Sequence, residues 1–224
     1  EEAERAYRRG LRAFEEKDAD YIRGEAERQA KAGAHIIDVN AGSDINIEPD
    51  NMKWAIRTVQ EAVDLPLAID SPNPDTIKAG FEVCGNPQAA WVNSITLEKE
   101  RIEALLPLVK EQQCMVVALC RDEGGVAQSS QGRVDIAKRI VETIDSYGIN
   151  PDNIILDPMI EPLSVRNDGG TMSLKTLRGL KEALPEIKTI ISLSGISFGL
   201  PGRKLLHRVY LPILMYEGLD YVFL

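Results

Sequence analysis

Seven short runs of branched and aromatic apolar residues recur along the chain, and their spacing restricts the folds open to it. The runs are continuous rather than alternating, which is typical of strands buried on both faces of a parallel sheet. Successive runs lie 23 to 39 residues apart, which leaves room for one helix and two loops between neighbours. These spacings are measured between the marker residues Ile36, Leu67, Ala90, Met115, Ile154, Thr189 and Leu219.

The segments between the runs have helical periodicity. One apolar stripe consists of Ile102, Leu105, Leu106 and Val109, and a second ends at Gly148, a residue suited to a helix C-cap. Leu205–Tyr216 is also predicted to be helical, with Pro212 kinking it or starting a new turn. Two further helices are expected at the start of the chain, over Glu1–Lys17 and Ala19–Ala32.

Regular strand–helix units at this spacing predict an α/β fold, specifically a (β/α)8 TIM barrel. An open doubly wound sheet is the runner-up, but it usually carries a Gly-rich first turn, and no GxGxxG occurs here. Because the chain opens on helices and closes on a strand run, we expect the barrel to lack its first strand and last helix. No linker interrupts the series, so residues 1–224 are predicted to form a single domain.

Composition excludes several classes of function. The formal charge is 26 − 35 = −9, which disfavours a nucleic-acid partner. No apolar run approaches the roughly 18 residues that a transmembrane helix needs. The three cysteines form no CxxC pair and only two histidines are present, so neither a zinc site nor a disulfide framework is predicted. This cysteine usage fits a reducing cytoplasm.

Polar residues lie at the tips of the apolar runs, and a barrel brings the carboxyl ends of its strands together at its catalytic face. They include Asp38, Asn40, Asp70, Asn93, Asp157, Ser194 and Ser197. Each is also a residue type that caps helices, and capping is the alternative reading. Asp70 is followed by Ser71 and Asn73, which can cap in its place, and Asp157 precedes a proline with no obvious helix after it. These two acids therefore resemble ligand contacts more than caps.

Two carboxylates and an amide in one pocket make a surface rich in hydrogen-bond acceptors. A carboxylate only accepts, whereas an Asn side chain both donates and accepts. Such a set suits a flat heterocycle with several N–H groups along one edge. A pterin fits this description, a guanine also fits, and residue type alone leaves a metal site open.

Five motifs, in order, resemble those of the pterin-binding methyltransferases: GAHIIDVNAG, AIDSPNP, WVNSI, IILDPMIEP and SLSGISFGLPGR. The resemblance runs from about Ala19 to Leu224. It implies a (β/α)8 barrel, often a homodimer, that transfers the N5 methyl group of methyltetrahydrofolate to or from the Co(I) corrinoid (cobalamin) of a partner protein. Dihydropteroate synthase is a more distant relative. The motif match implies pterin hydrogen bonds from Asp70, Asn93 and Asp157, with Asn40, Ser194 and Ser197 in the same pocket.

The last motif departs from the family pattern. The family commonly reads SNxSFGLP, with its Asn beside N5, whereas Gly195 occupies that position here and His207 replaces another common Asn. N5 must gain positive character before its methyl group leaves, and assistance by a proton donor typically contributes about 10²–10⁴-fold. Gly195 and Asp157 are therefore the predicted catalytic positions. The alternatives are a pterin-binding barrel without methyl transfer, or a dihydropteroate-synthase-like enzyme.

Residues Gly195 to Gly199 also match GxSxG, the nucleophile elbow of serine hydrolases. That mechanism needs an acid and then a histidine after the serine. After Ser197 the chain offers His207 first and Asp220 second, the reverse order. The match is better explained as a flexible ligand loop.

Overall fold

The computed structural model describes residues 2–42 and 44–224, with side chains from residue 9 onward except that of residue 43. Strands and helices alternate along most of this length. The elements are α1 (Glu2–Glu16), α2 (Ala19–Lys31), β1 (Ile37–Asn40), α3 (Glu48–Ala62), β2 (Leu67–Asp70), α4 (Pro74–Glu82), β3 (Trp91–Ile95), α5 (Lys99–Gln112), β4 (Met115–Leu119), β5 (Arg121–Asp122), β6 (Gly125–Val126), α6 (Ser130–Ser146), β7 (Ile154–Asp157), α7 (Gly169–Ala183), β8 (Lys188–Ser192), α8 (Arg203–Tyr216) and β9 (Tyr221–Phe223).

Every predicted strand run contains an observed strand, and the predicted helices are present as well. The expected helix over Glu1–Lys17 is α1, although Glu1 itself lies outside the described residues. Gly148 has φ +70° and follows the end of α6, as a C-terminal glycine should. Pro212 lies inside α8, which continues past it rather than starting anew. The segment after β4 forms the antiparallel β5–β6 hairpin.

The chain divides into two compact units. The first unit comprises Glu1–Ser94 with Glu111–Met115, and the second comprises Ile95–Lys110 with Val116–Leu224. In the first unit β1 pairs with β2 and β2 with β3, all parallel. In the second unit the order is β4–β7–β8–β9, again all parallel. Whether residues 1–224 form one domain, as the sequence suggests, stays a prediction.

Both units bury their central strands on both faces. Leu67, Ala68 and Ile69 of β2 are buried, and so is every residue of β7. Helix α4 lies close against β2 because Gly80 has no side chain: a Cβ there would stand 2.7 Å from Cγ2 of Ile69. This two-sided burial is why the strand runs read as continuous apolar stretches.

The second unit has a further apolar cluster beneath α8. Its buried members are Leu177, Ile191, Leu193, Ile196, Tyr210 and Leu214. Leu193 and Ile196 belong to a 3-10 turn, Leu193–Ser197, that directly follows β8. The cluster therefore anchors the loop in which the last sequence motif lies. Within the described residues, no helix combines the length and the apolar character needed to cross a membrane.

Candidate functional site

The first unit aligns three polar strand tips by register alone. Asn40 of β1 is the Cα partner of Asp70 in β2, and Asp70 is in turn the partner of Asn93 in β3. Because the strands are parallel and in register, their tips emerge at the same edge of the sheet. Three of the predicted site residues are thus brought side by side.

Side-chain hydrogen bonds then orient this group. Asn40 donates from Nδ2 to Oδ2 of Asp70 over 2.7 Å, and its own Oδ1 accepts the Gly42 N–H at 2.8 Å. Asn93 donates from Nδ2 to Oδ1 of Asp38 over 3.1 Å. Each bond fixes which end of an amide faces the neighbouring acid, and so fixes where the remaining acceptors point.

Asp38 has a perturbed pKa. It lies two residues before Asn40 on the same face of β1, and both residues are among those that line a pocket of about 130 Å³ with residues of α1, α2 and α3. Loss of hydration and repulsion from Asp70 raise the pKa of Asp38 to about 7, against the stabilising Asn93 N–H. Asp38 is therefore partly protonated near neutral pH.

In the second unit, Asp157 is held by its own loop. The Met159 N–H donates to Oδ1 of Asp157 over 2.7 Å, and Met159 has the left-handed φ of +62°. The backbone of Asp157 is fixed separately, since its carbonyl accepts the Cys120 N–H at 3.0 Å. Burial raises the pKa of Asp157 to about 7, opposed by the Met159 N–H and the charge of Arg133. No helix follows directly, so Asp157 is not a cap.

The 3-10 turn after β8 carries Ser194, Gly195 and Ser197. Ser194 is exposed and Gly195 half-buried, whereas Ser197 is fully buried. The backbone at Gly195 does not have positive φ, yet a Cβ there would stand 2.4 Å from Cγ2 of Ile160. Gly195 is thus required by close packing against the loop that follows Asp157.

The hydroxyl of Ser197 belongs to a local network. It lies 2.8 Å from Nε2 of His207, accepts the Arg203 Nε–H at 3.0 Å and donates to the Ser194 carbonyl over 3.2 Å. Burial and the charge of Arg203 lower the pKa of His207. Ser197 is buried and its hydroxyl is engaged by three hydrogen-bond partners, so it stabilises the turn. It is not placed to act as a hydrolase nucleophile.

Two residues that the site depends on were not among the predicted ligands. The sequence contains a signal for Asp38, because Asp38 precedes Asn40 by two residues and a strand places such residues on one face. Arg133, whose charge acts on Asp157, had none, because it lies on a helix remote in sequence. Among residues 9–42 and 44–224, whose side chains the structure describes, no group of three or more potential metal ligands is found.

Comparison with known proteins identifies similar sequences over most of the chain. A family described as pterin binding enzymes matches residues 10–223. The methylcorrinoid:tetrahydrofolate methyltransferase of Eubacterium limosum is 38% identical over 211 residues, covering 93% of this chain and 77% of that protein. The methionine synthase of Mycobacterium tuberculosis is 30% identical over 207 residues, covering 87% of this chain but 17% of that much longer protein.

Solved structures of dihydropteroate synthases share the fold. The Coxiella burnetii enzyme in complex with pteroic acid gives a TM-score of 0.63 at 18% identity, covering 88% of this chain and 76% of that one. The Xanthomonas albilineans enzyme in complex with 7,8-dihydropteroate gives 0.65 at 15% identity, covering 87% and 74%. At such low identity the likeness concerns the fold alone, and it confirms the predicted α/β barrel class.

Proposed function

We propose that this chain, which belongs to the pterin binding enzyme family, transfers a methyl group between N5 of a tetrahydrofolate-type pterin and a corrinoid carried on a partner protein. Like its Eubacterium limosum relative, the chain is a methyltransferase. That relative's name pairs a methylcorrinoid with tetrahydrofolate. The same two substrates, in either direction of transfer, are what we propose for this chain.

The observation that carries the proposal is the oriented acceptor group of the first unit. Asp70 and Asn93 are register partners, and Asn40 and Asp38 fix their side chains. A pterin presents ring and amino N–H groups along one edge, which carboxylate and amide oxygens can accept. Asp70 and Asn93 are therefore proposed to hold that edge. Asn40, whose amide is engaged by Asp70 and Gly42, is proposed to line the pocket and keep Asp70 in place.

Asp157 is proposed as a further pterin contact because it occupies the LDP motif, independently of the first unit. A buried carboxylate with a pKa near 7 can hold or release a proton at neutral pH. When the methyl group leaves N5 the nitrogen becomes more basic, and in the reverse direction it must lose a proton. Asp157 is thus suited to accept or supply that proton, directly or through water.

Gly195 occupies the position of the family Asn and offers no side chain to N5. We propose that an ordered water or the exposed hydroxyl of Ser194 takes over the hydrogen bond there. Ser197 is proposed to support this turn through its contacts with His207 and Arg203. The alternative favoured by Gly195 is a barrel that binds pterin without transferring methyl groups.

Single-turnover methyl transfer tests the proposal. The full chain is mixed with methyltetrahydrofolate and reduced cobalamin, and formation of methylcobalamin is followed by its absorbance. Rapid conversion supports methyl transfer. Tight binding of methyltetrahydrofolate in a parallel titration, with no conversion, would establish the binding-only alternative instead.

The partners follow from the same proposal. The corrinoid should arrive on its own protein and leave after each turnover, so its complex with this chain should be transient.

A second copy of the chain is the proposed occupant of the exposed apolar stripe on α8, which is formed by Leu205, Val209 and Ile213. Mass measurement in solution tests for a homodimer, and Val209→Asp should weaken it. The free thiols of Cys84, Cys114 and Cys120 support a cytoplasmic location.

A further inference from the structure

Arg133 is a fully buried arginine outside the predicted site. It lies in the first turns of α6 and has no exposed surface. Burying a guanidinium is costly unless its donors find partners and its charge is balanced. Within the second unit, each of its nitrogens makes at least one hydrogen bond.

Three of these bonds go to backbone carbonyls. Nε donates to the Ala127 carbonyl over 3.0 Å, while Nη1 donates to those of Pro158 and Met159 over 3.3 and 2.6 Å. Nη2 forms an ion pair with the Glu161 carboxylate, which Arg166 also contacts over 3.1 Å. Arg133 thus links the start of α6 to the loop that follows β7.

Among the backbone carbonyls that Arg133 binds, the nearest belongs to Met159, the residue that orients Asp157. Met159 adopts φ +62°, a conformation that is uncommon for a residue with a side chain and that surrounding contacts must maintain. Its carbonyl accepts from Arg133, and its N–H donates to Oδ1 of Asp157. The Pro158 carbonyl, which belongs to the same peptide group as this N–H, also accepts from Arg133. The guanidinium therefore holds both peptide groups of Met159, including the one whose N–H meets the carboxylate.

We propose that Arg133 is a positioning residue for Asp157: by clamping Met159 it sets the direction of the Asp157 carboxylate that contacts the pterin. This inference rests on the proposed function, in which Asp157 is a pterin ligand. The planar fork of arginine suits the task, because it reaches two adjacent carbonyls and a carboxylate at once. Lysine would keep the charge but would reach fewer of these groups in a fixed geometry.

Within the described part of its unit, Arg133 is the charged group that acts on the pKa of Asp157. Asp157 in turn faces the Cys120 thiol, whose pKa is raised by burial and by the Asp157 charge. Glu161 and Arg166 stand one step further away, on the other side of the Arg133 guanidinium. A substitution of Arg133 should therefore shift the titration midpoint of Asp157, and a substitution of Arg166 should not.

The test compares Arg133→Met, Arg133→Lys and Arg166→Met with the parent chain. Arg166→Met is the matched control, since it removes a guanidinium from Glu161 but from neither Pro158 nor Met159. The Asp157 carboxyl is followed by carbon NMR in aspartate-labelled protein, with Asp157→Asn assigning its signal. Affinity for methyltetrahydrofolate and thermal stability are measured on the same samples.

Arg133→Met should raise the titration midpoint of Asp157 by about one pH unit, because a favourable charge is lost. It should also weaken methyltetrahydrofolate binding by about tenfold, the scale of one lost charge-assisted hydrogen bond. Arg133→Lys should leave the midpoint near that of the parent while still weakening binding. Arg166→Met should change neither.

An unmoved Asp157 midpoint in folded Arg133→Met would overturn the proposal, as would parental affinity in Arg133→Lys. Arg133→Lys keeps the test decisive if Arg133→Met does not fold. A purely structural role would lower stability without moving the midpoint or separating the two variants. If the parent bound no pterin, the proposed function would fail, yet the carboxyl titration would still decide whether Arg133 governs Asp157.

Discussion

The strand tips of β2 and β7 both end in an aspartate, but they hold it by different means. After β2, the carboxylate of Asp70 is fixed by an amide from the neighbouring strand, and α4 begins within a few residues under the Asn73 cap. After β7, Asp157 is fixed by its own loop, and the next helix, α7, starts only at Gly169. The first arrangement depends on sheet register, whereas the second depends on a loop clamped from a remote helix.

This difference predicts how each region responds to change. The whole core maintains the register between parallel strands. A substitution at one strand tip of the first unit should therefore affect only its immediate neighbours. A loop held by a few contacts can shift as a whole, so changes there should spread to every group it carries.

The largest effect is expected from removing the acid of the second unit. Asp157→Ala should weaken methyltetrahydrofolate binding by about ten- to a hundredfold, because a hydrogen bond to a charged group contributes roughly 1.5–3 kcal/mol. Titration calorimetry measures the loss. Asp168→Ala is the control, since Asp168 is an exposed acid of the same unit that pairs with Arg166. Unchanged affinity in Asp157→Ala would remove this acid from the site.

The next largest effect concerns the packing of the two loops in the second unit. Gly195→Asn should destabilise the chain by about 1–3 kcal/mol, because the new Cβ meets Cγ2 of Ile160. Ile160→Leu removes that branch, so Gly195→Asn in an Ile160→Leu background should regain stability. Denaturant unfolding of both single variants and the double variant measures this coupling.

The same double variant tests the proton route to N5. With the clash relieved, the restored amide should raise the single-turnover transfer rate while leaving methyltetrahydrofolate affinity nearly unchanged. A parent that is already fast, and a double variant that is slower, would show that this loop handles the proton in another way.

The sequence predicted the strands and their tips because both follow from local physics. Two-sided burial demands continuous apolar runs such as Ile154–Leu156, and parallel pairing places the polar residues after those runs at one edge. It could not show that Gly195 packs against Ile160, or that Arg133 reaches Met159, because both contacts depend on how loops meet in three dimensions. It identified Asp38 as a tip residue but not as the acceptor of the Asn93 amide.

A smaller effect is expected from protonation at the tip of β1. The folded pKa of Asp38 is about 7, above its ordinary value of 3.8, so the folded state binds more protons than the unfolded state between these values. The free energy of unfolding should therefore fall as pH rises from about 4 to about 7. Asp38→Asn removes this contribution, so the variant should lose less stability across that interval than the parent.

Denaturant unfolding at a series of pH values measures this contribution of Asp38. The variant Asp70→Asn provides a second test of it. Repulsion from Asp70 contributes to the raised pKa of Asp38, whereas no such repulsion is among the causes for Asp157. Asp70→Asn should reduce the pH dependence that comes from Asp38 and leave the part that comes from Asp157. Identical pH profiles for the parent and Asp38→Asn would refute the assignment.

The smallest effect separates capping from binding at the tip of β2. Asn73 accepts the Asp75 N–H at 3.0 Å and so caps α4, three residues beyond the proposed pterin contact Asp70. Asn73→Ala should lower the free energy of unfolding by about 1 kcal/mol, the typical cost of losing such a cap. Because the register of β2 holds Asp70 independently of the cap, methyltetrahydrofolate affinity should change less than about twofold, a change worth about 0.4 kcal/mol.

Asn150→Ala, which removes a similar cap from the turn before β7, is the matched variant of the second unit. A large loss of affinity in Asn73→Ala would mean that the acids of the first unit depend on their loop as Asp157 does, and the contrast between the two strand tips would disappear.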